Sequence, residues 1–246
     1  VSCGDITFKE NGGLYCAGLI TAKTVQNYES TVIVANGTIQ TISSCDFNNQ
    51  GIVYTAGELY IDGDFINGSS AKAYCEGKLT INGTDDAAYI AGHTYVGKNV
   101  AGNGCLTLKG IFCVAGSPYG SDDPNLAEYT EGINLKYVDV YDSAQLYVRG
   151  IVNCSESGFA FKNSGSDDIK AQVFIDSNGG TRTALQTTSY LKLIPGAKLF
   201  VQGNANIKFK NDSDGSILND NRTYLFVSDN LTTSSKINMS SGSLIH

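Results

Sequence analysis

The sequence predicts an all-β chain wound as a single-stranded, right-handed parallel β-helix, a β-solenoid with coils of about twenty residues. Three observations carry this expectation. A strand motif closed by glycine returns at near-constant spacing, and the residues inside each copy alternate with a period of two. The composition also favours turns and short strands over helices. There are 28 Gly, 14 Tyr and 10 Phe beside 3 Pro, 1 Met and no Trp, and Lys, Arg, Asp and Glu make up only 17%.

The repeat is seen in Leu14-Tyr-Cys-Ala-Gly18-Leu-Ile20, Val53-Tyr-Thr-Ala-Gly57-Glu-Leu-Tyr-Ile61-Asp-Gly63, Ala73-Tyr-Cys-Glu-Gly77-Lys-Leu-Thr-Ile81-Asn-Gly83 and Ala88-Tyr-Ile-Ala-Gly92. A weaker copy, Ile33-Val-Ala-Asn-Gly37-Thr-Ile39, lies between the first two. The aligned glycines Gly18, Gly37, Gly57 and Gly77 recur at almost equal intervals. The second half of the motif returns as Gly104-Cys-Leu-Thr-Leu-Lys-Gly110, Gln145-Leu-Tyr-Val-Arg-Gly150 and Lys198-Leu-Phe-Val-Gln-Gly203. Regular coils are therefore expected over 13–110, with degenerate coils over 135–246 of a single domain.

Alternation within the third copy puts Cys75, Gly77, Leu79 and Ile81 on one face, and Tyr74, Glu76, Lys78, Thr80 and Asn82 on the other. The first face reads as core. The glycine that closes a copy, such as Gly63 or Gly83, is expected to supply a left-handed backbone at the turn. A unit this short cannot bury its own apolar face, but units stacked about 4.8 Å apart can. About ten to twelve coils would form a rod of roughly 50–60 Å. A β-sandwich also uses alternating strands and glycine turns, but it gives no reason for the same residue types to return in register.

Loops inserted between coils are where a solenoid carries specificity. The clearest spans 116–134, with two of the three prolines and the acidic pair Asp122 and Asp123. Similar segments lie at 163–169, 176–183 and 211–221. Tyr15, Tyr54, Tyr74 and Tyr89 are expected to form an outward row at one corner, either anchoring a ligand or stabilising neighbouring coils. These four tyrosines, with Asp122 and Asp123, are the candidate binding residues.

Seven cysteines, an odd number, cannot all pair within the chain. Cys16, Cys45, Cys75 and Cys105 are almost evenly spaced, the look of a framework. The repeat gives another reading: Cys16 and Cys75 fill the same small inward slot as Ala35 and Thr55, where a thiol acts as a small hydrophobe. No Cys-x-x-Cys exists, and His93 and His246 are the only histidines, which opposes a zinc site.

The pairs Asp85-Asp86, Asp122-Asp123 and Asp167-Asp168 fall in separate turns and not at one repeat position, so no catalytic residue is assigned. No cofactor is expected. Ca²⁺ is the alternative, held by hard oxygens of Asp212-Ser-Asp214-Gly215 and the 116–134 loop. An ice-binding threonine array, with Thr21, Thr80 and Thr107, is broken by Gln40, Tyr60 and Tyr147.

A net charge of −7 and a pI of about 4.8 oppose nucleic-acid and anionic-membrane partners, and no apolar run approaches a membrane span. The chain starts at Val1 without an initiator Met, and reads as a mature chain or an excerpt. N-x-S/T sequons begin at Asn36, Asn67, Asn82, Asn153, Asn211, Asn221, Asn230 and Asn238, and fit Asn-rich turns as well as glycosylation.

The units Gly57-Glu-Leu-Tyr-Ile-Asp-Gly63 and Gly77-Lys-Leu-Thr-Ile-Asn-Gly83 resemble the coils of bacterial surface β-helices: adhesin-like wall proteins, autotransporter passenger domains and bactofilins. The resemblance covers 13–110 and 144–203. It implies an architecture and a surface or filament setting, and transfers no catalytic residue. Bactofilin coils are shorter and poor in cysteine. The expectation is a non-enzymatic, extracellular structural or adhesive solenoid of a microbial surface or fibre. Its partner would be a host or microbial surface glycan or protein, with end-to-end self-association a further expectation. The alternatives are a polysaccharide-binding or polysaccharide-cleaving β-helix and a phage or viral fibre protein.

Overall fold

A computed structural model describes residues 1–83, 87–119, 128–164, 170–177, 183–188, 191–207, 223–233 and 244–246. All regular structure among the described residues is β-strand, and two compact units are formed, Val1–Ala115 and Gly116–His246.

The first unit is solenoid-like and built on three parallel ladders. The first ladder holds Gly13–Cys16, Val32–Ala35, Ile52–Thr55, Lys72–Cys75, His93–Val96 and Ile111–Val114. The second holds Ile20–Ala22, Ile39–Thr41, Leu59–Ile61, Leu79–Ile81 and Val100–Ala101. The third holds Ile6–Phe8, Val25–Asn27, Phe47–Asn49, Phe65–Asn67, Ala88–Ile90 and Leu106–Leu108. The chain visits the three ladders in turn and re-enters the first one coil further on. Each strand therefore pairs with its counterparts in neighbouring coils.

Inward positions carry the core. Ile20, Ile39, Leu59, Leu79 and Val100 form one buried row, and Phe47 meets Phe65 edge-on with ring centroids 5.9 Å apart. The small slot expected for the cysteines is present: Cys16, Ala35, Thr55 and Cys75 stand at one register position, followed by Val96 and Val114. Cys75 Sγ donates to the carbonyls of Lys78 (3.2 Å) and Gly57 (3.4 Å), and the Thr55 hydroxyl donates to the Gly37 carbonyl. The slot thus suits a small group that can reach a nearby carbonyl.

A buried row of asparagines closes the third ladder. Asn27 Nδ2 donates to Asn49 Oδ1, and Asn49 Nδ2 to Asn67 Oδ1, each at 2.7 Å. Asn67 Nδ2 reaches Thr94 Oγ1 and the His93 carbonyl, both at 3.0 Å. Asn27 and Asn49 also donate to the carbonyls of Ile52 and Lys72, and Asn49 Oδ1 accepts from the Gly51 amide at 3.2 Å. An amide side chain has two donors and an acceptor with two lone pairs, so an in-register row can satisfy itself without water. Asn67 opens a sequon yet is fully buried, whereas Asn36 and Asn230 are exposed.

Gly63 and Gly83 do not have the left-handed backbone expected of them. Glycine is needed there for close approach: a Cβ on Gly63 would lie 2.6 Å from the Cys45 carbonyl, and one on Gly83 would lie 2.6 Å from the Gly63 oxygen. The left-handed expectation does hold at Gly150 (φ 116°) and Gly203 (φ 123°).

In the second unit, Gln145–Arg149, Gln172–Asp176, Lys198–Gln202, Tyr224–Val227 and Leu244–Ile245 form a parallel in-register ladder. Beside it the long strands Ile133–Tyr141 and Val152–Lys162 pair in parallel, with a register shift between Leu135 and Tyr137. Thr183–Thr187 and Leu191–Lys192 both continue from Val152–Lys162, and Asn204–Ile207 and Leu231–Thr233 follow. The 116–134 insertion rests on an antiparallel pair, Ser117–Tyr119 with Glu128–Glu131.

The stacking can be tested by substitution. Asn49→Ala removes a partner from four hydrogen bonds, three of them buried, and should cost about 3 kcal/mol in denaturant unfolding, against under about 1 kcal/mol for outward-facing Asn48→Ala. Gly57→Ala, whose Cβ would meet the Gly37 backbone at 2.8 Å, should cost about 1–3 kcal/mol. Gly18→Ala has nothing within 4 Å and should leave the unfolding midpoint unchanged.

Candidate functional site: the outward aromatic rows

The first ladder points one side chain per coil outward at a single register position: Tyr15, Val34, Tyr54, Tyr74, Tyr95 and Cys113. Tyr15, Tyr74 and Tyr95 are exposed, and Tyr54 is half-buried. Three of the four expected tyrosines therefore share a row. Tyr89 does not. Ala88–Ile90 belongs to the third ladder, where Tyr89 stands between Ile66 and Thr107 with Lys109 Nζ 5.7 Å from its ring. Its place in the row is taken by Tyr95. The motif Ala88-Tyr-Ile-Ala-Gly92 imitates the first-ladder sequence, but Gly92 precedes that ladder's strand, as Gly51 does in an earlier coil.

The tyrosines are not ring-stacked on one another among the described residues. Tyr54 Oη donates to Glu76 Oε1 at 2.6 Å, and that carboxylate holds the Tyr54 phenol above its ordinary range. Asn36 Nδ2 donates to Tyr15 Oη at 3.1 Å. The remaining expected binding residues, Asp122 and Asp123, lie outside the described residues, as do Asp85, Asp86, Asp167, Asp168, Asp212 and Asp214. The threonine row is also redistributed. Thr21, Gln40, Tyr60 and Thr80 share one position of the second ladder, and Thr107 sits on the third.

A second aromatic row was not foreseen from the sequence. Tyr147, Phe174, Phe200 and Phe226 stand at one position of the second unit's ladder, with His246 beyond them. Tyr147 stacks on Phe174 (centroids 5.3 Å, planes 2° apart), Phe174 on Phe200 (4.8 Å, 4°), and Phe226 on His246 (5.3 Å, 15°). The available signal was the triplet apolar–aromatic–apolar: Leu146-Tyr-Val148, Val173-Phe-Ile175, Leu199-Phe-Val201 and Leu225-Phe-Val227. These copies stand further apart than the coils of the first unit, so the shorter repeat passes over them.

Three carboxylates elsewhere are engaged in the fold. Asp139 is buried, with Lys162 Nζ 2.5 Å from its Oδ2. Asp46 Oδ1 accepts from the Asp64 amide and Asp62 Oδ2 from the Ser44 amide, which binds neighbouring coils together at one corner. Among the described residues, no three His, Cys, Asp or Glu side chains gather closely enough to hold a metal ion. All seven cysteines are thiols outside any disulfide, and Cys75, Cys105 and Cys154 are buried. Set against protein-family models, curated proteins and solved structures, the chain matches none. The likeness to bacterial surface β-helices rests on the coil pattern alone.

Burial pushes the Cys75 and Cys154 thiols up to about 12 from an ordinary 9.0. Between those values the folded protein keeps protons that the unfolded chain releases, so these thiols make stability fall as pH rises from 9 towards 12. A Cys75→Ala/Cys154→Ala double variant should show a shallower alkaline fall in unfolding midpoint. With a thiol-exchange reagent at about pH 8, exposed Cys3 should react in the native protein, and Cys75 and Cys154 only after denaturation.

Proposed function

We propose that the chain is a non-enzymatic, extracellular structural and adhesive solenoid of a microbial surface or fibre. We further propose that it is wound as a single-stranded right-handed β-helix. The ladder order of the first unit supports the winding, because each of its coils passes through the same three ladders in sequence. The right hand is that of nearly all parallel crossovers between strands.

The observation that carries the adhesive reading is the register of Tyr15, Tyr54, Tyr74 and Tyr95 on one outward row, unstacked and held on a hydrogen-bonded ladder. Unstacked rings keep their faces for a partner, and tyrosine offers apolar area and a hydroxyl at little entropic cost. Repetition at one coil spacing suits a partner that is itself repetitive, such as a surface glycan. Glu76 fixes the Tyr54 ring through its hydroxyl, which pre-organises the middle of the row.

A glycan and surface-protein array probed with the full chain tests the reading. A Tyr54→Ala/Tyr74→Ala double variant should lose binding by about tenfold or more, the loss of central aromatic anchors, with its thermal midpoint kept. Binding that survives both changes would remove the row from the proposal.

A further inference from the structure

The turn from the third ladder back to the first changes length from coil to coil. It has four residues at 28–31, two at 50–51 and four again at 68–71. The short turn is therefore recessed between two long ones, whose tips meet across it: Ser70 Oγ donates to Glu29 Oε1 at 3.5 Å, from two coils away. Two coils span about 9.6 Å, and the recess is a groove of about 350 Å³, within the range of small-molecule clefts.

Val32 and Ile52, 38% and 40% exposed, give the groove an aliphatic floor, and Glu29, Gln50, Ser70 and Lys72 stand around it. A second depression of about 590 Å³ adjoins it, sharing Glu29 and Gln50 and adding Lys9, Glu10 and the exposed ring of Tyr28. No salt bridge occupies Glu29, Lys72, Lys9 or Glu10 among the described residues.

Both walls are tied to the buried asparagine row. The Thr31 hydroxyl donates to Asn27 Oδ1 and to the Tyr28 carbonyl, and Ser30 is held at φ 62°. Asn49 takes the Gly51 amide and donates to the Lys72 carbonyl. The groove is built before any ligand arrives, which lowers the cost of ordering it.

Three features select the ligand. The lining balances carboxylates against amines, so a polyanion gains little from it. The Val32–Ala35 and Ile52–Thr55 strands are hydrogen-bonded on both sides, so a peptide cannot add as a strand. An apolar floor ringed by donors and acceptors suits a ring with one C–H face and hydroxyls at its edge, and Tyr28 offers a stacking platform next door. We infer that these adjoining depressions bind a neutral glycan through at least two consecutive sugar units. This rests on the adhesive reading but uses residues apart from the tyrosine row.

The test uses the full chain with cellotriose, maltotriose, mannotriose and tri-N-acetylchitotriose, beside trigalacturonate and trialanine, followed by saturation-transfer NMR and calorimetry. At least one neutral trisaccharide should bind. Tyr28→Ala and Gln50→Ala should each weaken it about tenfold, and Tyr54→Ala/Tyr74→Ala should leave it within about twofold. Circular dichroism and melting confirm that each variant is folded. Failure of all four neutral sugars, preference for trigalacturonate or trialanine, or binding indifferent to Tyr28 and Gln50 overturns the groove. Loss in the Tyr54/Tyr74 variant alone also overturns it, while upholding the adhesive reading.

Discussion

In the first unit, strands that follow one another along the chain lie in different ladders, so backbone amides find their partners in the coils before and after. That arrangement fixes the separation of coils near about 4.8 Å and places like positions directly over one another. Within a ladder, each side chain then lies over the one at the same register position one coil away. Gly37, Gly57 and Gly77 follow from this, because at that corner backbone lies on backbone with no room for a Cβ. The Asn27, Asn49 and Asn67 row follows too, since a buried amide is tolerable where its donors and acceptor find partners, and a matching amide one coil away supplies one.

Much of the first unit was legible because period two and a near-constant coil length are both written in single residue types. The slot shared by Cys16, Ala35, Thr55 and Cys75 was found that way, and so were Tyr15, Tyr54 and Tyr74. Tyr89 was misplaced because short strands on different ladders use the same alphabet, and alternation says which way a residue points but not which ladder it belongs to. The asparagine row stayed hidden for a related reason. Its members are unevenly spaced along the chain, and Asn before a turn also reads as turn chemistry. The pattern Val25-Gln-Asn27, Phe47-Asn-Asn49, Phe65-Ile-Asn67 was the available clue: an inward apolar residue, an outward residue, then an inward Asn.

The two aromatic rows show how the same position can serve different ends. In the second unit Tyr147, Phe174 and Phe200 lie nearly parallel at about the coil spacing, so Phe174 is covered by a ring on either face, while Phe226 is tilted 42° from Phe200 and stacks on His246 instead. That geometry stabilises neighbouring coils and leaves little for a ligand. In the first unit Val34 interrupts the row, Tyr54 is drawn to Glu76, and ring faces are not spent on one another. Tyr15, Tyr74 and Tyr95 are therefore more exposed than the tyrosine and phenylalanine rings of the second row.

The groove beside Gln50 shows how a repeat of constant length can still hold a particular site. The coil from Val34 to Tyr54 and the coil from Tyr54 to Tyr74 are equal in length. In the first of them the turn after the second ladder, 42–46, has five residues and the turn after the third has two; in the next coil, 62–64 has three and 68–71 has four. Residues moved from one corner to the other leave the repeat, the ladders and the core register untouched. What changes is relief: one corner is raised, the other recessed. A search by period alone cannot see this exchange, because the period is the one quantity it preserves. The asparagine row makes the exchange workable, since it hydrogen-bonds turns of either length from beneath, through Thr31 in the long turn and Gly51 in the short one.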